Sequence, residues 1–196
     1  MIRSFLFLIV FGPGCGTLAA QHLIELRAAP DSKYRYADWS YTTRQSIILD
    51  VFYVGVPGSN EFNFGGGYGI KLAPFLTLAP VVYAVVGKEG GQRGVKLGTL
   101  LFLEKDLWKG NLFVAHFEPA TGSVSSYQVL DTADLTRRIR GRWEAGVSAG
   151  FFHSGGSWNP QIGPMAKRSD RYGAWAVSYR FGPQHEFRIT RVLTFR

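Results

Sequence analysis

Histidine is the side chain best placed for acid–base chemistry near neutral pH. The four histidines of this chain, His22, His116, His153 and His185, stand far apart in sequence. One has a nucleophile and an amide close by, in Phe152-His153-Ser154-Gly155-Gly156-Ser157-Trp158-Asn159. A serine becomes a nucleophile when a base within hydrogen-bond reach takes its proton and a third polar group orients that base. His153, Ser157 and Asn159 are therefore the candidate catalytic set, and acyl hydrolysis is its chemistry. The spacing works against it. Residues two apart on a strand share a face, but the position two beyond His153 is Gly155, and Ser154 points to the opposite face. Ser157 can meet His153 only across a tight turn. The plainer expectation is a Gly155-Gly156-Ser157 hairpin loop with a histidine beside it, no catalytic residue and no enzyme.

Other chemistry is sparser. No two histidines share a strand-length segment, and the single cysteine, Cys15, lies near the N-terminus. No metal site or cofactor is expected, and Asp131 and Asp134 read as turn residues. Gly65-Gly66-Gly67 has no helix after it to complete a phosphate-binding loop, so close packing or a bulge is its expected role. The net charge of +8 is spread along the chain, with one concentration at Arg137, Arg138, Arg140 and Arg142. Nucleic-acid binders gather their basic residues on one face, so nucleic acid is not an expected partner. There remain Asp50, Lys71, Lys96, Glu104, Glu144, Arg180 and Arg188, charges set within otherwise apolar or glycine-rich stretches. Charges in a confined interior must be paired or wetted.

The elements that hold these residues start after an address. Arg3 is followed by Phe-Leu-Phe-Leu-Ile-Val-Phe over Phe5 to Phe11, then by small residues ending Thr17-Leu18-Ala19-Ala20-Gln21. That order predicts a secretory signal peptide over 1–20, cut near Ala19 or Ala20, and one barrel domain over 21–196. Cleavage before Cys15 with acylation is disfavoured, because Gly12-Pro13-Gly14 lacks the aliphatic residue that such a signal carries.

The longest uncharged stretch, between Lys71 and Lys88, is sixteen residues with Pro74 and Pro80 inside it, too short for a membrane helix of about 20 residues. Period two dominates instead. Phe62, Phe64, Tyr68, Ile70 and Leu72 alternate with Asn63, Gly65, Gly67, Gly69 and Lys71. Val95, Leu97, Leu101 and Leu103 alternate with Lys96, Gly98 and Glu104; Trp143 to Phe151 and Gly173 to Phe181 repeat the pattern. A glycine-rich face bearing charges suits a tight, wet lumen, and an apolar face with tryptophan and tyrosine towards its ends suits a lipid-facing wall. Turn-like breaks near 30–33, 43–45, 56–60, 73–74, 88–92, 106–110, 119–122, 132–138, 154–157, 167–170 and 182–185 delimit about twelve strands, with ten as the alternative. The fold class is all-β, a closed antiparallel up-and-down transmembrane barrel. Pro80 requires a bulge, since a closed barrel has no edge strand.

The segment Phe187-Arg188-Ile189-Thr190-Arg191-Val192-Leu193-Thr194-Phe195-Arg196 resembles the C-terminal signature of bacterial outer-membrane β-barrels, a terminal aromatic preceded by alternating apolar residues. Phe187, Ile189, Leu193 and Phe195 fill those positions; Arg191 and Arg196 depart from them. The resemblance implies location in the cell outer membrane, recognition by the barrel-assembly machinery and contact with outer-membrane lipid. More loosely, Ser157-Trp158-Asn159 resembles outer-membrane phospholipase A, whose asparagine follows a Ser-Trp pair. The serine of that family, and of the lipid A deacylases, lies two residues after the histidine, where this chain has Gly155.

The reading is thus a monomeric outer-membrane barrel serving as a narrow pore or binding barrel for small polar solutes, or as a structural membrane protein. Its alternatives are a lipid-acting hydrolase using His153, Ser157 and Asn159, and a soluble periplasmic β-barrel binding protein. Asp50, Lys71, Lys96, Glu104, Glu144, Arg180 and Arg188 are expected to line the lumen. Because basic residues exceed acidic ones in that set, any pore is expected to prefer anions weakly.

Overall fold

The computed structural model describes residues 21–87 and 92–195; the expected signal segment, Cys15 and Arg196 lie outside them. The chain folds as β1 (Gln21–Ala29), β2 (Tyr34–Thr42), β3 (Ile47–Val56), β4 (Ser59–Tyr68), β5 (Ile70–Ala73), β6 (Leu76–Gly87), β7 (Arg93–Lys105), β8 (Trp108–Thr121), β9 (Tyr127–Arg140), β10 (Trp143–Ser154), β11 (Ser157–Asp170), β12 (Gly173–Arg180) and β13 (Glu186–Phe195). Consecutive strands pair antiparallel except β4 with β5, β1 closes on β13, and β4 pairs with β6. β4 and β5 are two pieces of one stave. Gly67 stands opposite Val81 and Ile70 opposite Leu78, the same register carried across a gap at Gly69. The result is a closed antiparallel barrel of twelve staves. Both described chain ends lie at one rim, here called the terminal rim; Ala29 and Tyr34 approach the other, distal rim.

Pro80 explains the gap. Within β6 it pairs with Thr99 of β7 without any shift of register. The interruption falls on the other side, where Tyr68 and Gly69 leave the ladder opposite Pro80 and Ala79. The barrel thus accommodates a residue without an N–H by parting the neighbouring stave, and the bulge expected within the Pro80 strand is not formed. Gly65, Gly66 and Gly67, just before the gap, lie against neighbouring backbone. A Cβ at Gly66 would stand 1.9 Å from the Ile48 carbonyl oxygen, so the glycine run serves close approach of three staves.

The two faces separate as the alternation requires. Leu26, Leu49, Phe64, Leu72, Val82, Leu97, Val147, Ile162 and Val177 are exposed on the outward face. Inward positions combine an aromatic and aliphatic cluster (Tyr34, Tyr36, Phe52, Tyr83, Phe102, Phe113) with buried charges. This is the reverse of a soluble barrel, which hides its apolar face, and so large an exposed apolar surface marks a membrane or partner contact.

The break expected at 132–138 lies inside β9, and the turn comes at Gly141 and Arg142. Thr132, Asp134 and Thr136 looked like turn residues because they are polar. They are polar because they face the lumen, where all three are buried.

Candidate functional site

The lumen is crossed by side chains, and a bulge organises the crossing. In β9 the pairing passes from Leu130 to Thr132 against β8, and from Leu130 to Ala133 against β10, leaving Asp131 without a ladder partner. An extra residue on one strand re-aims its side chain. Asp131 is turned into the barrel, where its Oδ2 accepts from Arg27 Nη1 on β1 and its Oδ1 accepts from the Tyr34 hydroxyl on β2 at 3.3 Å. β1 lies five staves from β9 and β2 six, so these contacts span the barrel diameter. Arg188 of β13 adds a third approach, Nη1 to Oδ1 at 3.6 Å.

The arginines around Asp131 are held from behind. Arg27 Nε donates to Glu25 at 2.9 Å and its guanidinium lies 4.3 Å over the Tyr36 ring. Arg188 Nε donates to Glu186 at 2.8 Å and stacks over Tyr34 at 4.7 Å. Arg180 donates to Ser148 Oγ from Nε and Nη2 at 3.0 and 2.7 Å, while Ser148 donates to Asp134 at 2.5 Å. Both Arg180 and Arg188 also donate to the Asp131 backbone carbonyl at 3.3 Å. Buried guanidinium groups are tolerated only with such multiple partners.

A second network lies towards the distal rim. Glu61 accepts from Lys96 Nζ at 2.5 Å and from the Tyr127 hydroxyl, joining β4, β7 and β9. A third lies near the terminal rim, where Glu144 stands 3.4 Å from both Lys109 and Lys167 and accepts from Thr136 at 3.0 Å. Between them Tyr83 donates to Asp50 at 2.8 Å and meets Phe52 edge-on.

Of the residues expected to line the lumen, Asp50, Lys96, Glu144, Arg180 and Arg188 are buried on inward positions. Glu104 is inward and half-buried, 3.8 Å from Lys109. Lys71 has the inward register, opposite buried Thr77, but is exposed near the terminal rim. The sequence reading missed Glu25, Arg27, Asp38, Glu61 and Glu186. It mistook Asp131, the hub, and Asp134 for turn residues. The omission reverses the charge balance. Among buried inward groups, Glu25, Asp38, Asp50, Glu61, Asp134, Glu144 and Glu186 outnumber Arg27, Lys96, Arg180 and Arg188. The premise of a weak anion preference therefore fails.

The hydrolase candidate is not assembled. Gly155 and Gly156, with φ of +57° and +82°, form the two-residue turn between Ser154 and Ser157, the left-handed pair that a tight hairpin requires. His153 pairs with Trp158 across this hairpin and stacks on it at 4.1 Å. Asn159 pairs with Phe152, one step along and on the opposite face. His22 stacks on Tyr41 and His116 meets Glu118 at 3.2 Å. No cluster of three metal-ligating side chains occurs among the described residues. The four apolar positions of the terminal signature, Phe187, Ile189, Leu193 and Phe195, all take outward register on β13.

No family model and no curated relative matches the sequence. Solved structures match its fold. The KdgM porin superposes with a TM-score of 0.66 over 90% of this chain and 99% of its own, at 10% identity. The same porin, solved in complex with disordered oligogalacturonate, gives the same values. The NanC porin superposes with a TM-score of 0.64 over 89% of this chain and 100% of its own, again at 10% identity. The architecture of this chain is that of the small outer-membrane β-barrel porins.

Proposed function

We propose that this protein is a monomeric channel of the bacterial outer membrane, a narrow passage for small polar solutes constricted at Asp131. An apolar band facing outward and charges facing inward suit a barrel set in lipid with water inside. Facing lipid, each lumen cation would instead cost about 2–4 kcal/mol near the midplane. The observation that carries the proposal is the meeting of Arg27, Arg188 and Tyr34 with Asp131 across the diameter. Small barrels of this kind have lumens that side chains can fill, so the constriction sets what passes. Export through a signal peptide over 1–20 and assembly through Phe187, Ile189, Leu193 and Phe195 belong to the same reading.

The buried acidic excess favours neutral or cationic solutes. Oligogalacturonate, the polyanion in the KdgM complex, is therefore not carried over to this chain. Planar-bilayer recording tests the proposal. The wild type gives small, cation-biased conductance under a potassium chloride gradient, and Asp131→Ala enlarges it. An anion-biased reversal potential overturns the solute class. A silent wild type together with a silent Asp131→Ala variant, both showing heat-modifiable migration on gels, overturns the channel and leaves a structural barrel.

A further inference from the structure

The arginine concentration of β9 finds a use on the outside of the barrel. At the terminal rim Arg140 of β9 stands in register with Trp143 of β10, and Trp143 with Arg168 of β11. Arg168 is paired with Trp175 of β12, and Trp175 with Arg191 of β13. Five adjacent staves therefore present Arg-Trp-Arg-Trp-Arg in one row. With strands about 4.8 Å apart, the row runs roughly 20 Å along the wall. The guanidinium of Arg168 lies 5.4 Å from the Trp143 ring, and that of Arg191 lies 5.0 Å from the Trp175 ring.

This row has an unbalanced charge. Asp170 takes Arg191, with Arg191 Nη1 donating to Oδ2 at 2.6 Å. Among the described residues no ion pair joins Arg140 or Arg168 to a carboxylate. Arginine stacked on an aromatic face keeps its in-plane N–H fork free for a bidentate oxyanion such as phosphate. Tryptophan meanwhile settles at the boundary of headgroup and hydrocarbon. Cations on a lipid-facing wall are tolerated at that depth and nowhere deeper. Both halves of one ligand are thus answered, a phosphate for the arginines and the adjoining apolar and glycerol region for the rings.

We propose that the Arg140-Trp143-Arg168-Trp175-Arg191 row is a docking site for the headgroups of anionic phospholipid, of the phosphatidylglycerol type. The inference rests on the membrane-barrel reading and is independent of whether the lumen conducts.

Native mass spectrometry of the detergent-folded protein tests it, with phosphatidylglycerol and phosphatidylcholine added at matched concentration. The wild type retains phosphatidylglycerol in preference. In the Arg140→Gln/Arg168→Gln variant that preference falls about tenfold or more, the order expected when two surface arginines near a headgroup are lost. A variant with lysine at both positions retains most of it. Should the double variant fail to fold, either single glutamine variant shows a smaller loss. Equal retention of the two lipids by the wild type overturns the site, as does a folded double variant with unchanged preference. Displacement of the lipid by millimolar inorganic phosphate overturns the assignment to lipid. A barrel that keeps its heat shift but shows no lipid preference fails this inference alone, whereas one with no heat shift fails the membrane reading itself.

Discussion

The Arg27–Asp131 contact makes the most exposed prediction, because it depends on a bulge aiming one carboxylate across the whole lumen. Deleting one partner of a buried ion pair costs about 3–5 kcal/mol when the other is left alone. Neither partner is left alone here. Without Asp131, Arg27 keeps Glu25 at 2.9 Å and Arg188 keeps Glu186 at 2.8 Å. Without Arg27, Asp131 keeps Arg188 at 3.6 Å and Tyr34 at 3.3 Å. Each single alanine substitution should therefore cost less, about 2–3 kcal/mol, near the worth of one or two charge-assisted hydrogen bonds. The double variant should cost about 1.5–3 kcal/mol less than the sum of the singles, since the shared bond is lost only once. The assay is urea unfolding of protein folded in detergent micelles, followed by tryptophan fluorescence and by the gel heat shift. Energies of this size move the midpoint by about 1 M at a slope of about 2 kcal/mol per molar. If the two substitutions add to within about 0.5 kcal/mol, the side chains do not meet, and the bulge does not direct Asp131 inward.

Four further outcomes follow from the same geometry. Gly66→Ala, whose Cβ would press on the Ile48 carbonyl, should lower folding yield or stability by more than about 2 kcal/mol. Gly155→Asn at an open turn position of φ +57° should be tolerated within about 0.5 kcal/mol; equal sensitivity at both would contradict the close approach of the staves. Tyr83→Phe removes the hydroxyl from Asp50 while keeping the ring against Phe52, and should destabilise by about 1–2 kcal/mol in the same unfolding assay, where no change would mean the bond is not made. Cysteine placed at 70 should react with a lipid-soluble reagent and at 71 with an aqueous one, because Ile70 has the outward register and Lys71 the inward; the reverse labelling would mean that stave is slipped by one residue.

How far the chain could be read without coordinates follows from what alternation encodes. A period of two assigns faces within a strand whenever one face is apolar, and Asp50, Lys96, Glu144, Arg180 and Arg188, read as inward from their neighbours, are buried on the barrel. The same rule fails where inward polar residues follow one another in register. Asp131, Thr132, Asp134 and Thr136 have the composition of a turn, and only burial on β9 shows that they line a lumen. β1 and β2 show little alternation in the sequence, because Glu25, Arg27 and Asp38 break up their apolar character. Those charges belong there for a reason that lies outside β1 and β2. Arg27 bonds a carboxylate 104 residues away on the opposite wall, and nothing near it in sequence announces that partner. The bulge is harder still to see. It shifts the phase of β9 by one residue between Leu130 and Thr132, so a face assigned from either end is wrong at the other. A reader of alternation sees that phase slip as noise or as the end of a strand. In the barrel it frees one carboxylate from the ladder and turns it towards three arginines, and the residue that most constrains the lumen is the one the pattern was bound to misread.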